Sequence, residues 1–277
     1  MLLDTRTSLS EALKEFTAVI VTGGSSGIGK SFIKLLQNVQ PALLLCNLSR
    51  RSPDIFSGEL KLRHVTCDFG QSDQIVQGVG AVLSILNHEK PEGRVLLINN
   101  SGYGSHGRFL EADLGNELGI IDVNIRAMVE ITGRLMPTLT ARGGAIINIA
   151  STAAFQPTPL LATYGASKAF VFNWSLALRE ELKGSGVRVL AVCPGPTATG
   201  FAQRAGVKSG SVPGGLGHAP DDVAKISLRA LAAGRAFVIC GWRNRLMAAF
   251  AWLFPKTWVT AIAMRVIGRV EPSEAKR

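Results

Sequence analysis

The segment Ala18-Val19-Ile20-Val21-Thr22, followed at once by Gly23-Gly24-Ser25-Ser26-Gly27-Ile28-Gly29, restricts the fold of this chain more than any other stretch. Its apolar and β-branched residues read as a buried strand, and an apolar helix, Ser31 to Val39, comes directly after the glycines. Strand, glycine turn and helix form an anion-binding arrangement. Glycines let the backbone approach a pyrophosphate, and the helix amino end offers unpaired N–H groups and positive potential. An ordinary glycine-rich turn is the alternative. The spacing is G-x-x-x-G-x-G, which differs from the commoner dinucleotide spacing G-x-G-x-x-G.

Short apolar runs near 18–22, 43–48, 61–67, 95–99, 145–150, 187–193 and 236–240 alternate with helical stretches. That alternation implies an α/β chain, a single-domain doubly wound fold with a parallel sheet of about seven strands. With 277 residues, 47% of them hydrophobic, the chain can bury a large core. No repeat of 20 to 50 residues and no low-complexity linker divides it. A ligand then belongs at the carboxyl ends of the strands.

Tyr164-Gly165-Ala166-Ser167-Lys168 places a phenol and an ammonium at i and i+4, on one face of a helix. A close cation favours phenolate over phenol, so Tyr164 is suited to exchange a proton with an alcohol or carbonyl oxygen. A solvated structural pair is the plainer reading, and the neighbouring motifs must choose between the two.

Those motifs resemble the short-chain dehydrogenase/reductase family. Thr22 to Gly29 matches its Thr-Gly-x-x-x-Gly-x-Gly block, and Asn99-Asn100-Ser101-Gly102 matches Asn-Asn-Ala-Gly with Ser for Ala. Ser151 lies 13 residues before Tyr164, where the family carries a serine, and Pro194-Gly195-Pro196-Thr197-Ala198-Thr199 resembles Pro-Gly-x-Val-x-Thr. The likeness covers about residues 15–240, a Rossmann-fold dehydrogenase/reductase domain, and leaves 241–277 as a basic, aromatic extension. It implies a catalytic set of Asn124, Ser151, Tyr164 and Lys168, in which Tyr164 delivers a proton, Ser151 polarises the substrate oxygen, Lys168 also bonds the nicotinamide ribose, and Asn124 anchors a relay water. A buried Asn satisfied by backbone is the alternative for Asn124. It further implies cofactor contacts from Gly23, Ser25, Ser26, Gly27, Ile28, Gly29, Asn100, Ser101, Gly102, Tyr164, Lys168, Pro194, Gly195, Thr197 and Thr199.

The form of the cofactor should be set after the second strand. There Leu43 to Leu48 runs into Ser49-Arg50-Arg51 with no acid to bond a ribose diol. Arg50, helped by Ser49 or Arg51, suits a ribose phosphate and favours NADP(H) over NAD(H). Two solvated arginines are the alternative. Asp68 matches a family position that bonds the adenine ring, although an Asp at a strand end also serves as a helix cap.

Substrate is less legible. Thr152 to Leu161 is mostly apolar, and residues 200–220 are rich in glycine, which suits a lid over a pocket for a small lipophilic ketone or alcohol. Cys46, Cys67, Cys193 and Cys240 each fall in or beside an apolar run, and the four histidines are scattered, so no metal site is expected. His106 either faces the cleft or is a plain loop residue. Asp4, Glu11 and Glu15 interrupt any apolar secretory core, which implies a cytoplasmic protein.

The extension contributes Trp242, Trp252, Trp258, Phe250 and Phe254 together with Arg243, Arg245, Lys256, Arg265 and Arg269, and no acid intervenes before Glu271. Aromatic and basic residues on apolar helices suit the surface of an anionic membrane, as a possible peripheral contact; helices packed on the body or on a second subunit are the alternative. Pro255 and Lys256 divide the run and argue against a span. The net charge of +10 is compatible with nucleic acid, but no recognition motif supports that partner. A homo-oligomer through helices near 113–137 and 162–183 is expected. A non-catalytic cofactor-binding regulator and a membrane-surface interaction protein are the competing classes.

Overall fold

The computed structural model describes residues 7–54, 61–207 and 217–268. Seven parallel strands form one sheet in the order β3-β2-β1-β4-β5-β6-β7. They are β1 (Phe16–Thr22), β2 (Leu44–Ser49), β3 (Leu62–Thr66), β4 (Arg94–Asn99), β5 (Ala145–Ile149), β6 (Arg188–Cys193) and β7 (Phe237–Ile239). Each lies inside or within two residues of an apolar run in the sequence. The doubly wound α/β fold is therefore the one observed.

Alternation along the strands explains the layers. Val19, Val21, Leu45, Leu96 and Ile98 point to one face, where α1 (Thr7–Leu13), α2 (Gly27–Val39) and α8 (Pro220–Ala232) cover them. Ala18, Ile20, Cys46, Val95 and Leu97 point to the other, beneath α3 (Ser72–Glu89) and α5 (Ala127–Arg142), with α6 (Ala162–Glu181) alongside. Both faces are apolar because both are covered. Helix α2 begins at Gly27, inside the glycine motif and four residues before the expected start at Ser31. Its first turn therefore belongs to the phosphate-type loop itself. All four cysteines are buried free thiols, and burial pushes Cys67 and Cys240 up to about 11, so they stay protonated.

The sheet order reverses between β1 and β4, which opens a crevice at their carboxyl ends. Asn99 secures the central strand through a buried chain of amides. Its Nδ2 donates to Asn148 Oδ1 (2.8 Å) on β5 and to Thr132 Oγ1 (2.9 Å) on α5. Asn148 Nδ2 donates to Ser175 Oγ (2.9 Å) on α6, whose hydroxyl donates to the Val171 carbonyl (2.6 Å).

Replacing Asn148 with Leu leaves the Asn99 amide without its strand partner and the Ser175 oxygen without its donor, in a position that is fully buried. We expect Asn148→Leu to lower unfolding stability by about 1–3 kcal/mol. Urea unfolding checks this; an unchanged midpoint would show that the amide chain contributes no stability.

Candidate active site

The turn after β1 is shaped by glycine. Gly23 has φ +70°, and a Cβ there would lie 2.6 Å from Ser101 Oγ. Gly24 N donates to Asn47 Oδ1 (2.8 Å), and Asn47 Nδ2 in turn donates to Ser49 Oγ (2.9 Å), so the turn is tied to the end of β2. Gly29 packs behind the turn, where a Cβ would collide with the Gly23 carbonyl and the Asn100 amide. Ser26 is the N-cap of α2 but makes no side-chain cap bond, leaving the first-turn N–H groups for a ligand. Close backbone approach and an uncapped helix end fit a pyrophosphate.

One cavity of about 750 Å³ runs along this edge of the sheet. Of the sequence-selected residues, Gly23, Ser25, Ser26, Gly27, Ile28, Arg50, Asp68, Asn100, Ser101, Gly102, Ser151, Tyr164, Lys168, Pro194, Gly195, Thr197 and Thr199 line it. Gly29 and Asn124 do not. His106 lies on the wall, on its cleft-facing reading. Asp68 accepts from Gly70 N (3.0 Å), while the N-cap of α3 is Gln71, so Asp68 is not the cap of that helix. Part of the expected lid, residues 208–216, lies outside the described residues.

Helix α6 presents Tyr164 and Lys168 toward Ser151, which follows β5. Lys168 is buried; its Nζ donates to the Ile149 carbonyl (2.9 Å) and lies 5.8 Å from the Tyr164 ring centroid. Burial lowers Lys168 to about 8, with Cys193 acting in the opposite direction. Burial likewise pushes Tyr164 up to about 12, against a hydrogen bond with Ser151 that pulls it down. The sequence suggested that the cation would draw Tyr164 toward phenolate. In this structure burial prevails, and Tyr164 is a phenol able to donate.

Asn124 sits in a π-helical turn, Asp122–Arg126, between α4 (Leu114–Ile121) and α5. Its Oδ1 accepts from Tyr103 N (3.0 Å), and its Nδ2 donates to the Tyr103 carbonyl (3.0 Å) and to Ser167 Oγ (2.9 Å). It therefore positions the chain after Gly102 and braces α6 next to Tyr164. It also faces a second cavity of about 10 Å³, shared with Lys168, Ser101 and Thr22.

Several further residues on the wall carry no sequence signal. Phe201, on the short helix α7 (Phe201–Arg204), packs on Tyr164 with ring centroids 5.1 Å apart. Arg204 from the same helix lines the cavity with Arg50 and Arg51; burial, then those two cations, holds its guanidinium below the ordinary value. Met247, Val266 and Ile267 enter the wall from the extension. No spacing rule marks these positions, since they are brought in by tertiary packing.

The family model described as short chain dehydrogenase matches residues 17–209. The chain belongs to that family. Very-long-chain 3-oxoacyl-CoA reductase of Bos taurus is 35% identical over 195 residues, which cover 66% of this chain and 60% of the relative. The chain thus spans less than two thirds of that protein's length. Sulfoacetaldehyde reductase 2 of Chromohalobacter salexigens is 35% identical over 189 residues, 66% of this chain and 73% of the relative. Among solved structures, a short chain dehydrogenase of Burkholderia cenocepacia in complex with NADP aligns with TM-score 0.74 at 24% identity, over 90% of this chain and 98% of that one. A short-chain dehydrogenase of Sphingobium yanoikuyae in complex with NADPH aligns with TM-score 0.71 at 26% identity, over 85% and 92%.

The depressed value of Lys168 has a stability consequence with a definite sign. Between about pH 8 and 10.5 the unfolded chain holds a proton on Lys168 that the folded chain lacks, so stability rises with pH through that window. We expect urea unfolding of the wild type relative to Lys168→Met to gain up to about 3 kcal/mol across it. A constant difference between the two proteins would show that Lys168 keeps its ordinary value.

Proposed function

We propose that the protein is an NADP(H)-dependent carbonyl reductase or alcohol dehydrogenase acting on a small lipophilic substrate. The convergence of Ser151, Tyr164 and Lys168 on the cavity that also holds the glycine turn carries this reading. When bound, the nicotinamide supplies the hydride, and its two electrons, to the carbonyl carbon. The protein supplies the proton and the polarisation. Ser151 donates to the carbonyl oxygen, a bond that strengthens as negative charge develops there. Tyr164 releases its phenolic proton to that oxygen, so the ketone gains one hydride and one proton and leaves as an alcohol. Lys168, still largely charged at neutral pH because about 8 lies above it, offsets the phenolate that remains. A cavity of about 10 Å³ between Lys168 and Asn124 is the size of one water, which supports Asn124 as the anchor of the proton path.

For the phosphorylated cofactor, the support is the arginine set Arg50, Arg51 and Arg204 on one end of the cavity, and the NADP and NADPH complexes of the structural neighbours. Leu161, Phe201, Val207 and Met247 on the wall support a lipophilic substrate, as does the acyl substrate named for the bovine relative. Exposed Leu114, Leu118 and Ile121 on α4 and Phe170 on α6 support a second copy as the occupant of that face. Four unpaired buried cysteines support a reducing, cytoplasmic setting.

Removing the phenol while keeping the ring separates chemistry from packing. Tyr164→Phe should lower turnover of ketones by about 100-fold or more, with NADPH binding retained; near-normal turnover in that variant would overturn the mechanism.

Cofactor choice is tested at Arg50. Arg50→Ala should weaken NADPH by about tenfold or more, as expected for one charge-assisted bond, and NADH far less. Equal losses for both nucleotides would assign Arg50 to the fold.

A further inference from the structure

Helices α9 (Trp242–Leu253) and α10 (Lys256–Ile267) are built inside out relative to helices of a water-soluble surface. The fully buried residues on these helices are three alanines, one valine and one asparagine. Asn244, Ala248 and Ala251 on α9 follow i, i+4, i+7, and Val259 and Ala263 on α10 follow i, i+4. The large apolar side chains turn outward: Trp242, Leu246, Trp252, Leu253 and Trp258 are 62–78% exposed. Ordinary packing would bury these rings and leave the alanines outside.

The pair is also fixed to the active site at two points. Asn244 Nδ2 donates to the Cys240 carbonyl (2.7 Å), and its amide fills the space over Gly195, where any Cβ would collide with it. Lys256, at the turn between the helices, donates through Nζ to the Phe155 carbonyl (3.0 Å) in the 3₁₀ turn Thr152–Phe155 that follows Ser151. Met247, Val266 and Ile267 from these helices form part of the cavity wall. One pair of helices therefore has an apolar inner surface on the cavity and an apolar outer surface on solvent.

Charge identifies the outer partner. Besides the anchored Lys256, Arg243, Arg245 and Arg265 lie on these helices, and no Asp or Glu occurs from Trp242 to Gly268. Among the described residues no helix is long and apolar enough to cross a membrane. Short helices with exposed tryptophans and unopposed cations suit the headgroup layer of an anionic bilayer. We infer that α9 and α10 dock on an anionic membrane surface through Trp242, Leu246, Trp252, Leu253 and Trp258, and that their inner side receives the apolar chain of a ketone or alcohol dissolved in that membrane. The second half rests on the reductase reading; the first half does not.

The full chain is sedimented with vesicles of phosphatidylcholine alone and of phosphatidylcholine with equimolar phosphatidylglycerol, and compared with a variant carrying Trp252→Glu and Leu253→Glu. NADPH binding and the unfolding temperature show whether the variant keeps its fold, as expected for two exposed positions. Wild type should pellet with the anionic vesicles and be released by salt, and the variant should lose about tenfold or more of that binding. In parallel, turnover of 2-alkanones of rising length should favour long chains, and Met247→Asp should cut the long-to-short preference about tenfold. Failure of wild type to pellet, equal salt-insensitive pelleting with both vesicle types, or undiminished binding by the folded variant overturns the docking. A wild-type oligomer that the variant dissociates, without vesicle binding, overturns it in favour of contact between copies. A chain-length preference that is absent, or that Met247→Asp leaves intact, overturns the inner-wall half. If no ketone or alcohol of any length turns over, the reductase reading fails, and the sedimentation result still decides the docking.

Discussion

The site depends on the stitch between the ends of β1 and β4. Thr22 Oγ1 accepts from the backbone N–H groups of Asn100 (3.0 Å) and Ser101 (3.1 Å), and Asn100 Nδ2 donates to the carbonyls of Thr22 (3.0 Å) and Gly23 (3.2 Å). These two strands are neighbours in the sheet but are separated by two strands, β2 and β3, in the chain, so the crevice between their loops is where the strand order reverses. Without the stitch each loop would have its own freedom. With it, the glycine turn and the Ser101-Gly102 segment share one frame, and Gly102 brings the backbone to the point where a Cβ would lie 3.2 Å from Lys168 Nζ.

The other half of the site is set by burial on α6. Removal from bulk water acts on both titratable groups in the same sense, toward neutrality, and so raises Tyr164 while lowering Lys168. The outcome is a phenol that keeps its proton, beside a cation that is still charged at neutral pH. The Ile149 carbonyl accepts from the ammonium and limits the cost of burying it. Asn124 and Ser167 complete the brace: Ser167 Oγ donates to the Tyr164 carbonyl (2.7 Å) and accepts from Asn124. The Asn124 amide thus holds the helix that carries the phenol, whatever it does for the proton.

What was legible in the sequence was local. The strand before Gly23, the helix after it and the i, i+4 pair on α6 follow from periodicity within a few residues, and the motif order carried the site. Through-space contacts were not legible. Asn47 reads as one polar residue in an apolar strand, yet it holds Gly24 across 23 positions of sequence. Arg204 reads as a loop cation until the fold sets it on the cavity wall with Arg50 and Arg51. Helix α2 starts at Gly27 although glycine lowers helix propensity; the packing of Phe32, Ile33 and Leu36 under the sheet supports this earlier turn.

The extension is where sequence and structure constrain each other most closely. Composition alone left a membrane surface and a packed helix open, because a run of Trp, Phe and Arg satisfies both. Orientation argues against packing on the body and leaves an outer face for a membrane or a second copy. A helix packed on its own body turns its rings inward, whereas α9 turns Ala248 and Ala251 inward and leaves Trp252 and Leu253 more than two thirds exposed. The small inward residues have a second effect: they let the helix lie close enough for Asn244 to fill the space above Gly195, in the loop that carries Thr197 and Thr199 on the cavity wall. The same choice of side chains that leaves the outer face apolar is thus the one that seats the helix against the site.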